Sequence, residues 1–337
     1  MKNPPFTITE QMLSDVAEIS ELVGKLSTGK LSASPNLRRT NRIRTIQGTL
    51  AIEQNTLSLE QVTAVLNGKR VIAPPRDIAE VQNAYFVYEK LHKFDPYSVD
   101  SLLAAHEAMM HGLITEAGMF RSGSVGVADG EGHILHMGTL PRYVPESMER
   151  LLTWVRDSEL PTVIKSCVFH YEFELIHPFA DGNGRMGRLW HTLLLSEWNP
   201  LFAWLPVESI IHDRQAQYYQ AINNSNNAGE STAFIEFMLS AIKAALREVT
   251  GDEKPLGKNA QNAKLRREFV LNFLSEHPSI RNSDVCTGLS VATATANRIL
   301  TELCDDGTIE RVREGRYWVY QKKSIKSIID NSNLHNL

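Results

Sequence analysis

Residues 177–188 read His-Pro-Phe-Ala-Asp-Gly-Asn-Gly-Arg-Met-Gly-Arg, and the other features of the chain are best interpreted from this stretch. Gly182, Asn183 and Gly184 allow a sharp turn, because glycine lacks a Cβ atom. Residues 185–198 carry large apolar side chains at helical spacing and predict a helix with one apolar face. A glycine turn that leads into a helix presents free N–H groups and the positive end of the helix dipole. This arrangement predicts an anion site.

The side chains around this turn suit a polyphosphate. Arg185 and Arg188 are three residues apart, so they lie on one face of the predicted helix and can reach the same anion. Asp181 stands at the mouth of the turn, and its carboxylate is the type of ligand that Mg²⁺ prefers. His177 lies four residues earlier and is available as a proton acceptor. A base, a metal ligand and two cationic clamps thus accompany the predicted phosphate site.

Other interpretations of the stretch fit its residues less well. Gly182, Gly184 and Gly187 also satisfy the dinucleotide-binding fingerprint, but that fingerprint follows a strand, whereas residues 164–175 have helical spacing. A P-loop is excluded, since no Gly-Lys-Ser/Thr follows. A lone histidine is usually structural, but the neighbouring turn and carboxylate favour a chemical role for His177.

The stretch resembles the signature of the Fic (Fido) family, His-x-Phe-x-Asp/Glu-Gly-Asn-Gly-Arg-x-x-Arg, and matches every fixed position. The resemblance implies a mainly α fold: a helical Fic core with a β-hairpin flap, plus a small α+β winged helix-turn-helix domain. It implies a nucleotidyltransferase that moves AMP from ATP, with Mg²⁺, to a Ser, Thr or Tyr hydroxyl of a target protein or of itself. Two alternatives stay open: a hydrolase that removes AMP at the same site, and a nucleotide-sensing, DNA-binding transcription regulator.

The resemblance also assigns roles to residues. His177 would be the catalytic base and Asp181 the metal ligand. A Tyr-Tyr pair lines the adenine pocket in the family, and an asparagine seven residues on contacts the base; core packing for Tyr218 and ordinary loop polarity for Asn226 are the alternatives. The implied nucleotide-binding set is Asp181, Gly182, Asn183, Gly184, Arg185, Met186, Gly187, Arg188, Tyr218, Tyr219 and Asn226.

Thr49-x-x-x-Glu53 resembles the inhibitory helix of the family, [ST]-x-x-x-E-[GN]. In that family the glutamate pairs with the second arginine of the motif, here Arg188. The last position departs from the pattern, because Gln54 stands where glycine or asparagine is usual. We expect Asn55 to take the left-handed conformation instead. The alternative for Glu53 is an ordinary surface glutamate.

The chain between residues 118 and 137 resembles the flap of the family. Residues 118–121, Gly-Met-Phe-Arg, match the approach to it, and residues 125–136 alternate around a glycine-rich turn, which predicts a β-hairpin. The edge strand would hold the target protein by main-chain pairing. Leu135, His136 and Met137 are the expected target-binding residues. A plain surface hairpin is the alternative.

The expected organisation is a helical N-terminal region (1–75) with the inhibitory helix, the catalytic core (76–250), a linker (251–261), a winged helix-turn-helix (262–322) and a tail (323–337). In the winged helix-turn-helix, a third helix is expected to open at Ser290, and Arg311, Arg313 and Arg316 of the wing could touch phosphates. Between residues 258 and 326 the chain has 12 Lys and Arg against 8 Asp and Glu, a modest excess. DNA contact and protein docking both stay open for this unit.

Composition narrows the class of protein. The chain has 337 residues, 42% of them hydrophobic and 22% charged, as in a soluble globular protein. A net charge of −4 argues against extensive nucleic-acid coating. No run suits a signal peptide or a membrane span, and the three cysteines suit free thiols. We therefore expect a cytoplasmic protein without a membrane partner. A homodimer is expected from the resemblance. His106, Glu107 and His111 nearly match a zinc motif, but their spacing is wrong, so these histidines are assigned to the core or surface.

Overall fold

The computed structural model describes residues 4–27, 34–128 and 134–251, and residues 266–322 apart from 268, 272, 275–276, 290, 306–307 and 315–316. The chain divides into two compact units, Met1–Asp252 and Glu253–Leu337. The first unit contains both the predicted N-terminal region and the predicted core. Ser290, Arg316, the tail and all but the first residue of the predicted linker lie outside the described residues.

The first unit is built from helices, which confirms the mainly α fold. They are α1 (Glu10–Ser27), α2 (Pro35–Ile52), α3 (Leu59–Leu66), α4 (Pro75–Glu89), α5 (Val99–Met109), α6 (Val144–Asp157), α7 (Thr162–Ile176), α8 (Asn183–Trp198), α9 (Val207–Asp213), α10 (Gln215–Ala228) and α11 (Thr232–Thr250), with short 3₁₀ turns at Leu91–Lys93, Pro141–Tyr143 and Pro200–Trp204. The described helices include none that is long and apolar enough to cross a membrane.

α7 and α8 form the centre of the first unit. Phe169 and Phe173 of α7 and Met186 and Trp190 of α8 are fully buried. The prediction of a single apolar face on α8 was wrong: residues 185–195 are buried on every side. A helix surrounded by other helices has no polar face to present to solvent. The predicted anion turn is therefore held by the two most enclosed helices.

The N-terminal region packs against this core. α1 lies along α11, where Lys243 pairs with Asp15 and Arg247 with Glu18. α2 lies against α9, and Gly48 makes this packing possible, because a Cβ atom there would lie 2.8 Å from the backbone of Glu208. This close approach fixes α2 beside the site.

A short hairpin follows α5. Strand β1 (Gly126–Ala128) pairs antiparallel with β2 (Ile134–Met137), with Gly126 opposite Met137 and Val127 opposite His136. The predicted β-hairpin is thus present. Leu135, His136 and Met137 lie on β2, and their side chains are outside the described part of the chain.

The second unit has its own core. Helices Asn282–Leu289 and Thr293–Asp305 pack with helical residues between 266 and 274, and β3 (Ile309–Glu314) pairs antiparallel with β4 (Tyr317–Lys322). Val270, Ile280, Val285, Leu300 and Ile309 are among its buried residues. This order of elements agrees with a winged helix-turn-helix, which stays a prediction.

Candidate functional site

Two left-handed residues bound the predicted anion turn. His177 ends α7 with φ +52°, and Gly182 begins α8 with φ +87°. Between them, the Asn183 side chain accepts from the Phe179 N–H and donates to the Phe179 carbonyl, both at 2.8 Å. The Asn183 amide therefore holds the loop together. Free N–H groups of the first turn of α8, rather than this side chain, are left to face a ligand.

His106, which the sequence predicts to be a core or surface residue, contacts the residues of this turn. Its Nδ1 accepts from the Gly118 N–H at 3.0 Å, so Nε2 carries the proton and donates to the Asp181 carbonyl at 3.0 Å. The ring stacks on Phe179 with 3.6 Å between centroids. Burial lowers the pKa of His106 to about 4, which keeps the ring neutral. The core assignment was correct, and the supporting role had no signal in the sequence.

Arg188 is buried and forms hydrogen bonds with residues at the end of α2. Its Nε donates to Thr49 Oγ1 at 2.9 Å, and its Nη2 donates to the Thr49 carbonyl at 3.0 Å and to Glu53 Oε1 at 2.6 Å. Burial is the largest single influence and lowers the pKa of Arg188, but the combined effects of Glu53, Tyr218 and Glu174 outweigh it and raise that pKa. The three residues that the resemblance connects, Thr49, Glu53 and Arg188, thus meet at one point.

The Glu53 carboxylate also covers the anion turn. A Cβ atom on Gly184 would clash with Glu53 Oε1 and would lie 3.0 Å from Arg188 Nη1. The carboxylate therefore lies directly against the first turn of α8, where the helix dipole favours negative charge. An anionic side chain of the protein occupies the surface that the sequence predicts for a phosphate.

Asp181 and Arg185 belong to a second cluster of charges at the mouth of the turn. Asp181 Oδ1 accepts from Arg185 Nη2 and Oδ2 from Arg76 Nη2, both at 2.9 Å. Glu80 is nearly buried and accepts from Arg185 Nη1 at 3.2 Å and from Asn55 Nδ2 at 2.9 Å. The sequence did not indicate Arg76 or Glu80.

Asp181 is the candidate ligand for the predicted Mg²⁺, because its side chain is 38% exposed. Both of its oxygens pair with arginines and Oδ1 also accepts from the Gly182 N–H, so a metal ion would have to displace at least one of these partners. The described residues contain no group of three or more His, Cys, Asp or Glu placed to hold a metal ion. A single carboxylate, completed by substrate phosphates and water, is a usual arrangement for Mg²⁺.

The end of α2 differs from expectation. Gln54, not Asn55, adopts the left-handed conformation, with φ +68°. Asn55 is buried, and its amide donates to the Asp77 carbonyl at 3.2 Å as well as to Glu80. The buried contacts of Asn55 leave the preceding residue to make the turn. Glutamine in this conformation is strained, because its Cβ approaches the backbone.

Arg121 joins the flap to the motif loop. Its Nε donates to the His177 carbonyl at 2.6 Å, its Nη2 donates to the Thr139 carbonyl, and its N–H donates to the Pro178 carbonyl at 3.0 Å. Gly138 packs beside both, since a Cβ there would lie 2.9 Å from Arg121 Nη2 and 3.3 Å from His177 Cβ. The base of the flap and the predicted catalytic histidine are therefore one connected structure.

The predicted adenine pocket is only partly supported. Tyr218 is 2% exposed and its hydroxyl lies 3.2 Å from His170 Nε2, so this ring packs in the core. Tyr219 is 43% exposed and offers a ring face to a ligand. Asn226 lies inside α10, not in a loop, and accepts from the Tyr171 hydroxyl at 3.0 Å. Base contact by Tyr218 is disfavoured, because burial leaves no free face.

Comparisons with known proteins agree with this geometry. The model of the Fic/DOC family matches residues 96–195. A crystal structure of a Fic family protein from Desulfovibrio desulfuricans G20 is 42% identical in sequence, with a TM-score of 0.72 over 96% of this chain and 98% of that chain. This chain belongs to the Fic family. The family resemblance of residues 177–188 is thereby confirmed.

More distant Fic proteins share the fold. Protein adenylyltransferase fic-1 of Caenorhabditis elegans is 28% identical over 271 residues, which cover 76% of this chain and 50% of that protein. The Fic chain described here thus spans about half the length of the curated relatives it matches. A solved structure of C. elegans Fic-1 is 22% identical, with a TM-score of 0.60 over 72% of this chain and 73% of that chain, and indicates a common fold.

Proposed function

We propose that this Fic protein is an adenylyltransferase that moves AMP from ATP to a hydroxyl group of a protein. The observation that carries the proposal is the turn at the start of α8, which has Arg185, Arg188 and Asp181 around it and His177 at its entrance. Relatives that share most of this chain are named protein adenylyltransferases.

Each residue has a distinct task in the proposed reaction. N–H groups at the start of α8 hold the α-phosphate, while Arg185 contacts the β-phosphate and Arg188 the γ-phosphate. His177 accepts the proton of the target hydroxyl as its oxygen attacks the α-phosphorus, and the bond to pyrophosphate breaks. Mg²⁺ bound at Asp181 would neutralise phosphate charge. Catalysis then depends mainly on positioning and preorganised charge.

Glu53 is the proposed inhibitor of this reaction. Its carboxylate accepts a hydrogen bond from Arg188 Nη2 at 2.6 Å and lies against Gly184. A triphosphate in productive position needs the same guanidinium and the same N–H groups, so the two anions compete. A short, charge-assisted pair of this kind is strong when one partner is buried.

The test compares incorporation of α-labelled AMP by the wild type, Glu53→Gly and Glu53→Gly/His177→Ala. We expect Glu53→Gly to raise transfer by at least about tenfold, and the added His177→Ala to lower it by about 10²–10⁴-fold while ATP still binds. Retained transfer without His177 would exclude the base assignment. Parallel assays with each α-labelled nucleoside triphosphate would define the nucleotide.

The reverse reaction is a second candidate, and the position of Glu53 favours it. A carboxylate beside Gly184 is close enough to the turn to orient water at a bound AMP group. The same Glu53→Gly variant distinguishes the two functions. A transferase gains labelling in this variant, whereas a hydrolase loses the ability to remove label from a pre-modified protein.

The second unit is proposed as a winged helix-turn-helix that contacts DNA. Trp318 is 47% exposed on β4, and the guanidinium of Arg311 lies 4.0 Å from its ring. An arginine on such a hairpin suits contact with the phosphates of a nucleic acid. Arg311→Ala should weaken binding to duplex DNA and reduce its salt dependence, as measured by fluorescence anisotropy. Homodimerisation and a cytoplasmic location remain expectations of the resemblance.

A further inference from the structure

Glu174 lies in the last turn of α7, beneath the proposed catalytic base. Its Oε2 is 3.8 Å from His177 Nδ1, and its own carbonyl oxygen is 3.3 Å from the same nitrogen. Its Oε1 is 3.8 Å from His170 Nε2. The residue therefore presents both a carbonyl and a carboxylate to the edge of the His177 ring that carries Nδ1.

The carboxylate is costly where it lies. The Glu174 side chain is 15% exposed, and Oε1 has no hydrogen-bond partner in the described part of the protein. Burial raises the pKa of Glu174 to about 7, although the nearby Arg188 opposes the increase. A buried carboxylate without full hydrogen bonding destabilises a fold, so its contribution to stability does not explain its presence.

α8 leaves room for this carboxylate. A Cβ atom on Gly187 would lie 3.0 Å from Glu174 Oε1 and 3.1 Å from His170 Cδ2. Glycine at this position lets the two helices approach closely enough for the Glu174 carboxylate to lie against α8. Gly187 is therefore part of the space that the Glu174 carboxylate occupies.

We propose that Glu174 is a positioning residue for His177. The Glu174 carbonyl accepts from Nδ1–H, which leaves the Nε2 lone pair to take the proton of the incoming hydroxyl. The Glu174 carboxylate stabilises the imidazolium that results. This inference rests on the proposed adenylyl transfer and adds a second residue to its proton-transfer step.

Several groups face this pair from neighbouring elements. Arg188 of α8 and Glu53 of α2 act on Glu174 with opposite sign, and the Tyr218 hydroxyl of α10 contacts His170. Arg121 bonds the His177 carbonyl. In the proposed exchange a triphosphate replaces Glu53 on Arg188, while the Glu174 carboxylate stays 3.8 Å from His177 Nδ1.

The experiment uses the full chain with Glu53→Gly as the parent, so that inhibition does not mask the result. Glu174→Gln preserves side-chain volume and the main-chain carbonyl but removes the negative charge. Its matched control is Glu172→Gln on the same helix, since burial raises the pKa of Glu172 to about 7 as well. kcat/KM for AMP transfer is measured against pH, and ATP affinity is measured by titration.

We expect Glu174→Gln to lower the plateau of kcat/KM about 10- to 100-fold and to move its acidic limb about one pH unit lower. ATP affinity should stay within about twofold, and Glu172→Gln should match the parent. NMR titration of the His177 ring should show the same downward movement without any turnover. If Glu174→Gln proves unstable, Glu174→Asp should show a smaller shift in the same direction.

The two proposals fail separately. An unchanged plateau, acidic limb and ring titration in Glu174→Gln would overturn the role of Glu174, while an inactive His177→Ala would still support adenylyl transfer. A uniform loss of activity at all pH values, with unchanged ring titration, would indicate a structural role and would also overturn the inference. Full activity of His177→Ala would remove both proposals.

Discussion

At the scale of single residues, the buried charges of the site are arranged around positions for anions. Arg188 and Arg185 are both nearly inaccessible, and each is paired with a glutamate from a distant part of the chain, Glu53 and Glu80. Buried guanidinium groups need such partners, because an unpaired buried charge is strongly unfavourable. In the proposed reaction a nucleotide would have to replace these ion pairs, so the exchange is a proposed point of control.

His106 allows a pH test of the turn. Its folded-state pKa of about 4 lies below the ordinary value of 6.5, so the unfolded chain binds more protons between these values. The stabilising contribution of neutral His106 is full above pH 6.5 and is lost as the pH falls towards 4. We expect the free energy of unfolding of the wild type, relative to His106→Gln, to decrease over this range by at most about 3 kcal/mol.

Urea denaturation at several pH values from 4 to 7 measures this difference. A constant difference between wild type and His106→Gln across the range would show that His106 does not titrate between the two states as described. Activity assays at pH 7.5 add a second measurement, because loss of the bond to the Asp181 carbonyl should weaken Mg·ATP binding.

Gln54 provides a test of strain in the inhibitory helix. Glycine takes φ +68° without steric cost, so Gln54→Gly should stabilise the protein by about 1 kcal/mol. A better-formed end of α2 should also hold Glu53 more firmly and lower basal AMP transfer. Gln47→Gly, inside the same helix, is the control and should destabilise by about 0.5–1 kcal/mol. If Gln54→Gly and Gln47→Gly destabilised the protein equally, Gln54 would not be strained.

At the scale of elements, the proposed control of the site by α2 depends on α9, which holds α2 in place. Gly48 lies against the backbone of Glu208 and Ser209, and neither backbone can move like a flexible side chain. The proposed inhibition would therefore depend on helix packing as well as on one ion pair.

Gly48→Ala should separate α2 from α9. The added Cβ would lie 2.8 Å from backbone atoms, so we expect a loss of about 1–3 kcal/mol of stability. Because Glu53 moves with α2, basal AMP transfer should rise in the same variant. Gly24→Ala on α1 is the matched control, since nothing lies within 4 Å of its added Cβ, and it should be neutral or stabilising. If Gly48→Ala lowered stability without raising AMP transfer, the packing of α2 on α9 would not be needed for the proposed inhibition.

Local patterns explain which elements could be predicted. The turn at 182–184, the helix after it and the hairpin near 125–136 follow from glycine placement and apolar periodicity, which are encoded within a few neighbouring residues. The meeting of Glu53 with Arg188 was expected only through the family resemblance.

Other parts of the site could not be predicted in this way. His106 contacts the backbone of Asp181, and Arg76 bonds its side chain, across long stretches of chain. Neither residue has a local pattern that indicates its partner. The single apolar face predicted for α8 failed for a related reason, since the number of helices packed around it is a property of the whole unit.

At the scale of the whole molecule, buried titratable groups act in opposite directions over the same pH range. Burial lowers the pKa values of His106 and His191, each to about 4. Their contribution to the free energy of unfolding therefore decreases as the pH falls below 6.5. Burial raises the pKa values of Glu172 and Glu174 to about 7. Their contribution to the free energy of unfolding therefore increases as the pH falls from 7 to 4.5. Burial also lowers the pKa of His170 and raises that of Glu208, so buried histidines and buried glutamates oppose each other as the pH falls.

Glu172→Gln tests this balance without touching the site. The variant removes one group whose folded-state pKa is raised, so its free energy of unfolding should fall more steeply than that of the wild type between pH 7 and 4.5. At pH 7 it should be as stable as the wild type or more stable, because an unfavourable buried charge has been removed; the difference between the slopes integrates to at most about 3 kcal/mol. Denaturant titrations of both proteins at matched ionic strength measure it. Parallel pH profiles would show that Glu172 has the same proton affinity in the folded and unfolded chains, and would contradict its proposed part in this balance.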